Sequence, residues 1–493
     1  MKKDHFLRSV ISLIAAITVL GTGSFESYAK TLPYDTYNYD YREYIHNTPA
    51  AYIPAGNISV SSFEFNGEAV GSMNAPQDLC KDEEGNIYVA DTGNNRILVL
   101  NPEMTGVVDI INTFDNEGNE DSLNQPYGIC VSGKGEIYIA DSQNKRVVVL
   151  TRDHELIRII KDPQSESLED TFVFTPLKLT VDYADRVYVI AQNMFEGIMV
   201  FESNGVFSSF FGTIDVEISL WEKFWKRIAT KEERTKQKLY IPTEFTGLDI
   251  DPDGFVYATN IDAEGVQGVR RLNPRGEDVI KKGQNLNVGG DLQIDGVTEY
   301  AGPSQFTDVV YSGNGLYRCL DRKRGRIFTY DHEGNLLYIF GGLGSLKGTF
   351  KLPVAIEDIG GRIAVLDATL AEIVTFEITE YGDLINKAVS LRYDGDETEA
   401  VALWERVLIL DENNELAHVG IGKAYLTAGD YVAAMKHLRL GMSRDYYSVA
   451  FRRYRNELLK KNAGYFLTAV AILLVVLTAV KRFRKKKGAM ADE

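Results

Sequence analysis

Two kinds of hydrophobic spacing divide the chain. From residue 57 to 379, five-residue runs such as IYVAD (87–91) and RILVL (96–100) are separated by acidic or Gly-containing stretches such as EEGN (83–86) and GKGE (133–136). Runs of this length, bounded by turn residues, predict β-strands joined by hairpins, with every second side chain turned to an interior. Beyond residue 380 the apolar positions recur at helical spacing. Residues 463–480 then form a stretch of 18 residues without a charge, which at ~1.5 Å per residue is just long enough for a helix that crosses a bilayer.

The strands repeat. GNIYVADTGNNRILVL (85–100) returns as GEIYIADSQNKRVVVL (135–150), and Tyr88, Tyr138 and Tyr188 fall in register. A fixed period of this length is the signature of a repeat architecture. Each unit reads as a proline, an apolar strand, a turn, an IYVAD-type strand, a tight turn and an RILVL-type strand. A weaker fourth strand such as VVDIINTF follows. Four antiparallel strands per unit define a propeller blade.

Pro76, Gly85, Tyr88, Asp91, Asn94 and Arg96, repeated as Pro126, Gly135, Tyr138, Asp141, Asn144 and Arg146, resemble the pattern of NHL repeats. The third unit keeps Pro176, Asp185 and Tyr188 but has Ala191 in the Asp place. The fourth has Pro242, DPDG at 251–254, Tyr257 and Asn260, and the fifth keeps Gly315, Asp321 and Arg326. The sixth keeps Pro353, Gly361 and Asp367, with Glu372 in the Arg place. Six units imply a six-bladed NHL-type β-propeller over 57–379. The last unit lacks a fourth strand, whereas NISVSSFEFNG (57–67) is a strand without a blade, so the N-terminal strand is expected to close the ring and remove an open edge.

In the helical part, Ala388 and Gly422, Leu391 and Tyr425, Ala400 and Ala434, and Trp404 and Leu438 are each 34 residues apart. This spacing resembles tetratricopeptide repeats, whose small residues let paired helices approach. Two such units need a cap, which the helical stretch 443–461 supplies. The resulting fold class is mainly β: a six-bladed propeller, then a small tetratricopeptide-like helical domain (380–462), a transmembrane helix (463–480) and a basic tail (481–493).

Charge sharpens this picture. Lys2, Lys3 and Arg8 before the apolar run 10–20, with Ser27 and Ala29 at cleavage-site positions, read as a signal peptide over 1–29. Residues 30–56 form an extended Tyr- and Pro-rich lead-in. The export signal and the six cations after residue 480 both place the N-terminal domains outside and the C-terminus in the cytoplasm. Removing the tail's +4 and the signal's +1 from the formal charge of −17 leaves the exported part near −22. Nucleic acid is not expected as a partner. Cys80 and Cys130 sit at equivalent repeat positions, too far apart for a disulfide in most repeat geometries, and read as free thiols, as does Cys319.

Asp91, Asn94 and Arg96, with Asp141, Asn144 and Arg146, and Asp321, Arg326 and Asp367 in later units, are expected to fasten turns to strands inside each blade. Some six-bladed relatives of lactonase and amidating-lyase type hold calcium or zinc in the central channel. A zinc site needs imidazoles, and the propeller has only His154 and His332. A lactonase-like site needs carboxylates from several blades, for which Glu244, Asp249, Asp308 and Glu357 are the candidates. Neither DEEGN (82–86) nor DPDG (251–254) continues as a calcium loop, and both suit hairpin turns. An insertion at 218–238 places Trp221 and Trp225 on one face of a Lys-rich helix, either packed on the propeller or free to meet a partner or membrane. The expected function is that of a membrane-anchored extracellular scaffold. Its propeller and helical repeats would recognise protein or carbohydrate in an envelope complex, in a role accessory to carbohydrate uptake, with no cofactor. The alternative is a metal-dependent lactonase-like hydrolase.

Overall fold

A computed structural model describes residues 32–161, 163–165, 168, 172–212, 244–262, 267–283, 288–292 and 301–489. Internal contacts separate Met1–Pro33 from Tyr34–Glu493, and the architecture below belongs to the second unit. The Trp221 and Trp225 insertion and the signal segment lie outside the described residues.

Six blades follow one another. Blade 1 comprises Asp78–Lys81, Ile87–Asp91, Arg96–Leu100 and Val107–Ile111. Blade 2 comprises Pro126–Val131, Ile137–Asp141, Arg146–Leu150 and Leu156–Lys161. Blade 3 comprises Pro176–Val181, Val187–Ala191, Ile198–Phe201 and Phe207–Phe211. Blade 4 has three strands among the described residues, Phe245–Ile250, Val256–Asn260 and Val269–Leu272. Blade 5 comprises Phe306–Tyr311, Tyr317–Asp321, Arg326–Tyr330 and Leu336–Phe340. Blade 6 comprises Pro353–Asp358, Ile363–Asp367 and Glu372–Ile378. The first strand of every blade touches that of the next, and the sixth touches the first.

An N-terminal strand does complete blade 6, but it is Tyr52–Ile58, five residues earlier than the expected start. It pairs antiparallel with Glu372–Ile378, Tyr52 opposite Ile378 and Ile58 opposite Ile373. The stretch expected to close the ring instead forms a 3-10 turn and a two-residue hairpin, Glu64–Phe65 with Glu68–Ala69. The physical reason lies in Tyr52, fully buried and stacked on Phe340 at 4.7 Å. An aromatic with a place in the core holds the register more firmly than the half-exposed FEFNG. The lead-in is therefore partly β, and it also contains the hairpin Tyr37–Tyr39 with Ile45–Asn47.

The second strand of each blade departs from the simple alternation. All five residues of Ile87–Asp91, and likewise of Ile137–Asp141, Val187–Ala191 and Ile363–Asp367, are buried. Blades pack face to face, so a middle strand has neighbours on both sides and no solvent face. One core joins blade 1 to blade 6 through Leu79, Val89 and Leu98 with Leu366 and Ile373.

Five helices follow: α1 (Glu380–Tyr393), α2 (Glu397–Leu410), α3 (Glu415–Ala428), α4 (Tyr431–Leu440) and α5 (Arg444–Ala489). Thr379, Asn414 and Asp430 cap α1, α3 and α4 with side-chain oxygens, satisfying first-turn N–H groups. Close packing is set by glycine. A Cβ on Gly420 would stand 2.4 Å from the Trp404 indole nitrogen, and one on Gly422 2.6 Å from Leu438. No single helix among the described residues is long and apolar enough to cross a membrane. Within α5, the segments Arg444–Tyr465 and Leu467–Arg482, bent by 45°, meet the length and composition requirement only together, so the propeller is followed by six helical segments.

Candidate functional site

Within a β-strand every second residue shares a face, and in a propeller the inner strands aim one face at the axis. The pairing registers align Asp78, Gly128, Lys178, Gly247, Asp308 and Ala355 at one level of the axial channel. Two residues further along come Cys80, Cys130, Thr180, Asp249, Val310 and Glu357. These levels line a cavity of about 60 Å³, on a scale where about 10–15 Å³ admits a water molecule. Asp249, Asp308 and Glu357 thus meet there as expected, while Glu244 does not line it. Lys178 and Asp78 were missed, because a single Lys in an apolar strand, PLKLTV, gives no signal of facing acids that lie 100 and 130 residues away.

Lys178 Nζ lies 2.5 Å from Asp78 Oδ1 and 3.5 Å from Asp308 Oδ2, and all three side chains are buried. The glycines make this reach possible. A Cβ at Gly128 would stand 2.4 Å from the Leu177 carbonyl oxygen, and one at Gly247 2.5 Å from Asp308 Oδ1. Each aspartate also binds the next blade: Ile129 N–H donates to Asp78 and Ile356 N–H to Asp308, both at 3.0 Å. One ammonium serves two carboxylates, so burial raises Asp78 and pushes Asp308 up to about 7, while Lys178, pressed down by burial but drawn up more by the acids, is raised.

At the second level Lys81 Nζ donates to Glu357 Oε1 at 3.1 Å and also to the Asp358 carbonyl. Asp249 accepts from Tyr311 N–H at 2.7 Å. Burial pushes Glu357 up to about 8 and Asp249 up to about 6, and it raises the thiols, Cys130 to about 12. Cys80, Cys130 and Cys319 are all free. Lys178 lies between Asp78 and Asp308 and Lys81 on Glu357, so two of the carboxylates expected to hold calcium are engaged by ammonium groups, while Asp249 is held by backbone N–H groups. Among the described residues no three His, Cys, Asp or Glu groups stand where they can share a metal ion. The donor set therefore does not fit the lactonase-like metal site.

The repeat-motif residues sit away from the channel. Asp91 accepts from Asn74 N–H (2.7 Å), Asn94 Nδ2 (2.8 Å) and Arg96 Nε (2.7 Å), and Arg96 reaches the Val70 carbonyl. Asp141 does the same with Asn124, Asn144 and Arg146, and Arg146 adds a two-pronged contact to Asp121 at 2.7 and 2.8 Å. In blade 5 the pattern breaks. Asp321 accepts from Gln305 N–H, but Arg326 turns to the carbonyls of Asp35 and Gly341 and leaves Arg324 3.5 Å from Asp321. The physical reason is Tyr37, whose ring draws the Arg326 guanidinium to 5.1 Å. Asp367 accepts four backbone N–H groups, while Glu372 takes the closing strand's Asn57. Asp82 and Asp251 each accept from N–H groups two and four residues on, which accounts for DEEGN and DPDG as turns.

The lead-in tyrosines cover the propeller's side. Tyr37 and Tyr39 both bond the buried Asp291. The helical hairpins are joined to blades 5 and 6 by a single core containing Leu316, Tyr338, Phe340 and Phe376 with Tyr381, Ile385, Val389, Trp404 and Ile421.

Residues 73–100 and 123–150 match the NHL repeat, so blades 1 and 2 are NHL repeats of a six-bladed propeller. No curated protein sequence matches the chain. Among solved structures, selenomethionine-substituted virginiamycin B lyase from Staphylococcus aureus is 11% identical, covering 66% of this chain and 98% of its own, with a TM-score of 0.41. A protein of unknown function from Bacteroides thetaiotaomicron VPI-5482 is 13% identical over 68% and 78% (TM-score 0.42). Hydrazine synthase from Kuenenia stuttgartiensis is 10% identical over 64% and 99% (TM-score 0.39).

Proposed function

We propose that this protein is a single-pass, membrane-anchored recognition scaffold. Its NHL propeller and tetratricopeptide-like hairpins, exposed outside the cell, bind a protein or carbohydrate ligand of an envelope complex, in a role accessory to carbohydrate uptake. The observation that carries this reading is the shared core between propeller and helices. Helical repeats commonly serve recognition and propellers serve many roles; here one core holds the two together, and Lys178 and Lys81 engage Asp78, Asp308 and Glu357 around the axial cavity. The anchor is supported by the run of exposed large apolar side chains along α5, from Tyr465 and Leu467 to Val480. A soluble surface does not sustain such a run, and a bilayer accepts it. Outward orientation rests on the N-terminal export signal together with the cations that follow residue 480.

Affinity capture of the full-length chain from detergent-solubilised membranes tests the scaffold reading. A stoichiometric envelope protein that is retained by the intact chain supports it, and a chain recovered alone, with no saccharide binding, counts against it. The anchor is tested by a chain ending at Lys461, which should leave the membrane fraction as a folded acidic protein while the full chain resists a carbonate wash.

A further inference from the structure

The first half of α5 carries a surface that the scaffold role does not use. Tyr446, Val449 and Ala450 face inward and pack with Val419, Ala434 and Leu438 of the hairpins, which turns the opposite side outward. There Tyr447, Phe451, Arg455 and Leu458 follow one another at helical spacings of four, four and three, forming one stripe. Arg452 and Leu459 flank it. The apolar members are well exposed, Phe451 at 48% and Leu459 at 62%, and the arginines are exposed and make no ion pair among the described residues. Between Arg444 and Lys461 six cations against Asp445 and Glu457 give +4, in a chain of formal charge −17. A basic, aromatic-bearing helical segment on an otherwise acidic protein, with Arg452 and Arg455 at its outward stripe, fits an anionic surface.

We propose that the end of α5 nearest the bilayer, from Arg452 to Lys461, sets its basic and apolar side chains against anionic phospholipid headgroups of the bilayer that receives residues 463–480. This rests on the membrane anchor proposed above. Placement supports it: Arg455 lies about 12 Å along the helix from residue 463 at ~1.5 Å per residue. The 45° bend lowers that to about 8 Å above the hydrocarbon edge, against a headgroup layer of about 5–8 Å per leaflet. Its charge also needs an explanation, because the positive-inside tendency disfavours five cations (Arg452, Arg453, Arg455, Lys460, Lys461) on the exported flank. Headgroup phosphates supply one.

The test uses the full-length chain in vesicles of phosphatidylcholine, alone or with phosphatidylglycerol. Modification of Leu458→Cys by a membrane-impermeant maleimide is timed, with the parent chain correcting for Cys80 and Cys130. Labelling should be about tenfold slower in the anionic vesicles. The difference should vanish in high salt and in the double variant Arg452→Gln, Arg455→Gln, both still carbonate-resistant. Equal rates in the two vesicles with carbonate resistance retained would overturn the lipid contact and leave the anchor standing. Slow, salt-insensitive labelling in both would assign the face to a protein or purely apolar contact and also overturn it. Extraction by carbonate would remove the anchor and this inference together.

Discussion

Glu333, on the outer hairpin of blade 5, accepts a hydrogen bond at 2.9 Å from Nζ of Lys423 in α3, and it takes Arg392 of α1 as well. One carboxylate thus fastens two helices to the propeller. Burial, and then the neighbouring Arg392, push Lys423 down to about 8, so its charge is a cost that the fold carries.

Lys423→Met should therefore be neutral within about 1 kcal/mol or stabilising, since Glu333 keeps Arg392. Glu333→Gln leaves two buried cations facing each other and should cost about 2–4 kcal/mol. The sign of the pH dependence follows from the lowered lysine. Between about pH 8 and its ordinary value near 10.4 the unfolded chain holds the extra proton, so stability rises with pH there, and the Met variant should lose that rise. Urea midpoints of the parent and the two variants against pH measure both effects.

The axial channel should make the propeller more stable on the acid side of neutrality. Asp249, Asp308 and Glu357 have folded values raised to about 6, 7 and 8. Such groups contribute stability that is complete below their unfolded values near 4 and is lost as pH rises through the folded ones. Denaturation midpoints should accordingly fall from about pH 5 to pH 8. Glu357→Gln frees only the half-exposed Lys81, and it should flatten the upper part of the fall and stabilise the protein at pH 8 by about 2 kcal/mol.

Lys178→Met should act in the opposite direction. Asp78 and Asp308 then lose their shared cation while staying buried, at a cost of about 3–5 kcal/mol at pH 8. At pH 5 both can take up protons and the loss should be clearly smaller. A pH-independent loss would show that the methionine disturbs packing rather than charge.

Arg146→Ala should destabilise more than Arg96→Ala. Each leaves a fully buried aspartate without its guanidinium, but Arg146 also releases Asp121, which Arg146 above all holds down at about 2. About 3–5 kcal/mol is expected at blade 2 and less at blade 1, read from thermal and chemical unfolding, with ligand affinity unchanged in the folded fraction.

Removing residues 34–58 strips blade 6 of its outer strand and uncovers the edge of Glu372–Ile378. The shortened chain should melt at lower temperature and self-associate. Deletion of 60–65 alone, which spares Tyr52–Ile58, should be much milder. Calorimetry with light scattering separates the two.

The repeat, the number of blades, the turn aspartates and the helical hairpins were written in local spacing, because strands, turns and paired helices are each specified by neighbours within one period. Asp91 and Arg96, five residues apart, pair as their spacing suggests. What the sequence left open depends on residues far apart in it. Arg326 has the same spacing from its aspartate yet binds the lead-in, because Tyr37, nearly 290 residues earlier, offers its ring. The closing strand is set by the pocket waiting for Tyr52 in blade 5, and no periodicity within 52–67 records that pocket. Lys178 reads as an intruder in an apolar strand until the ring brings Asp78 and Asp308 to either side of it, over two glycines that clear the way. Local pattern determined the parts, and the closure of the ring decided which charges meet, since burial and distance are properties of the assembled blades alone.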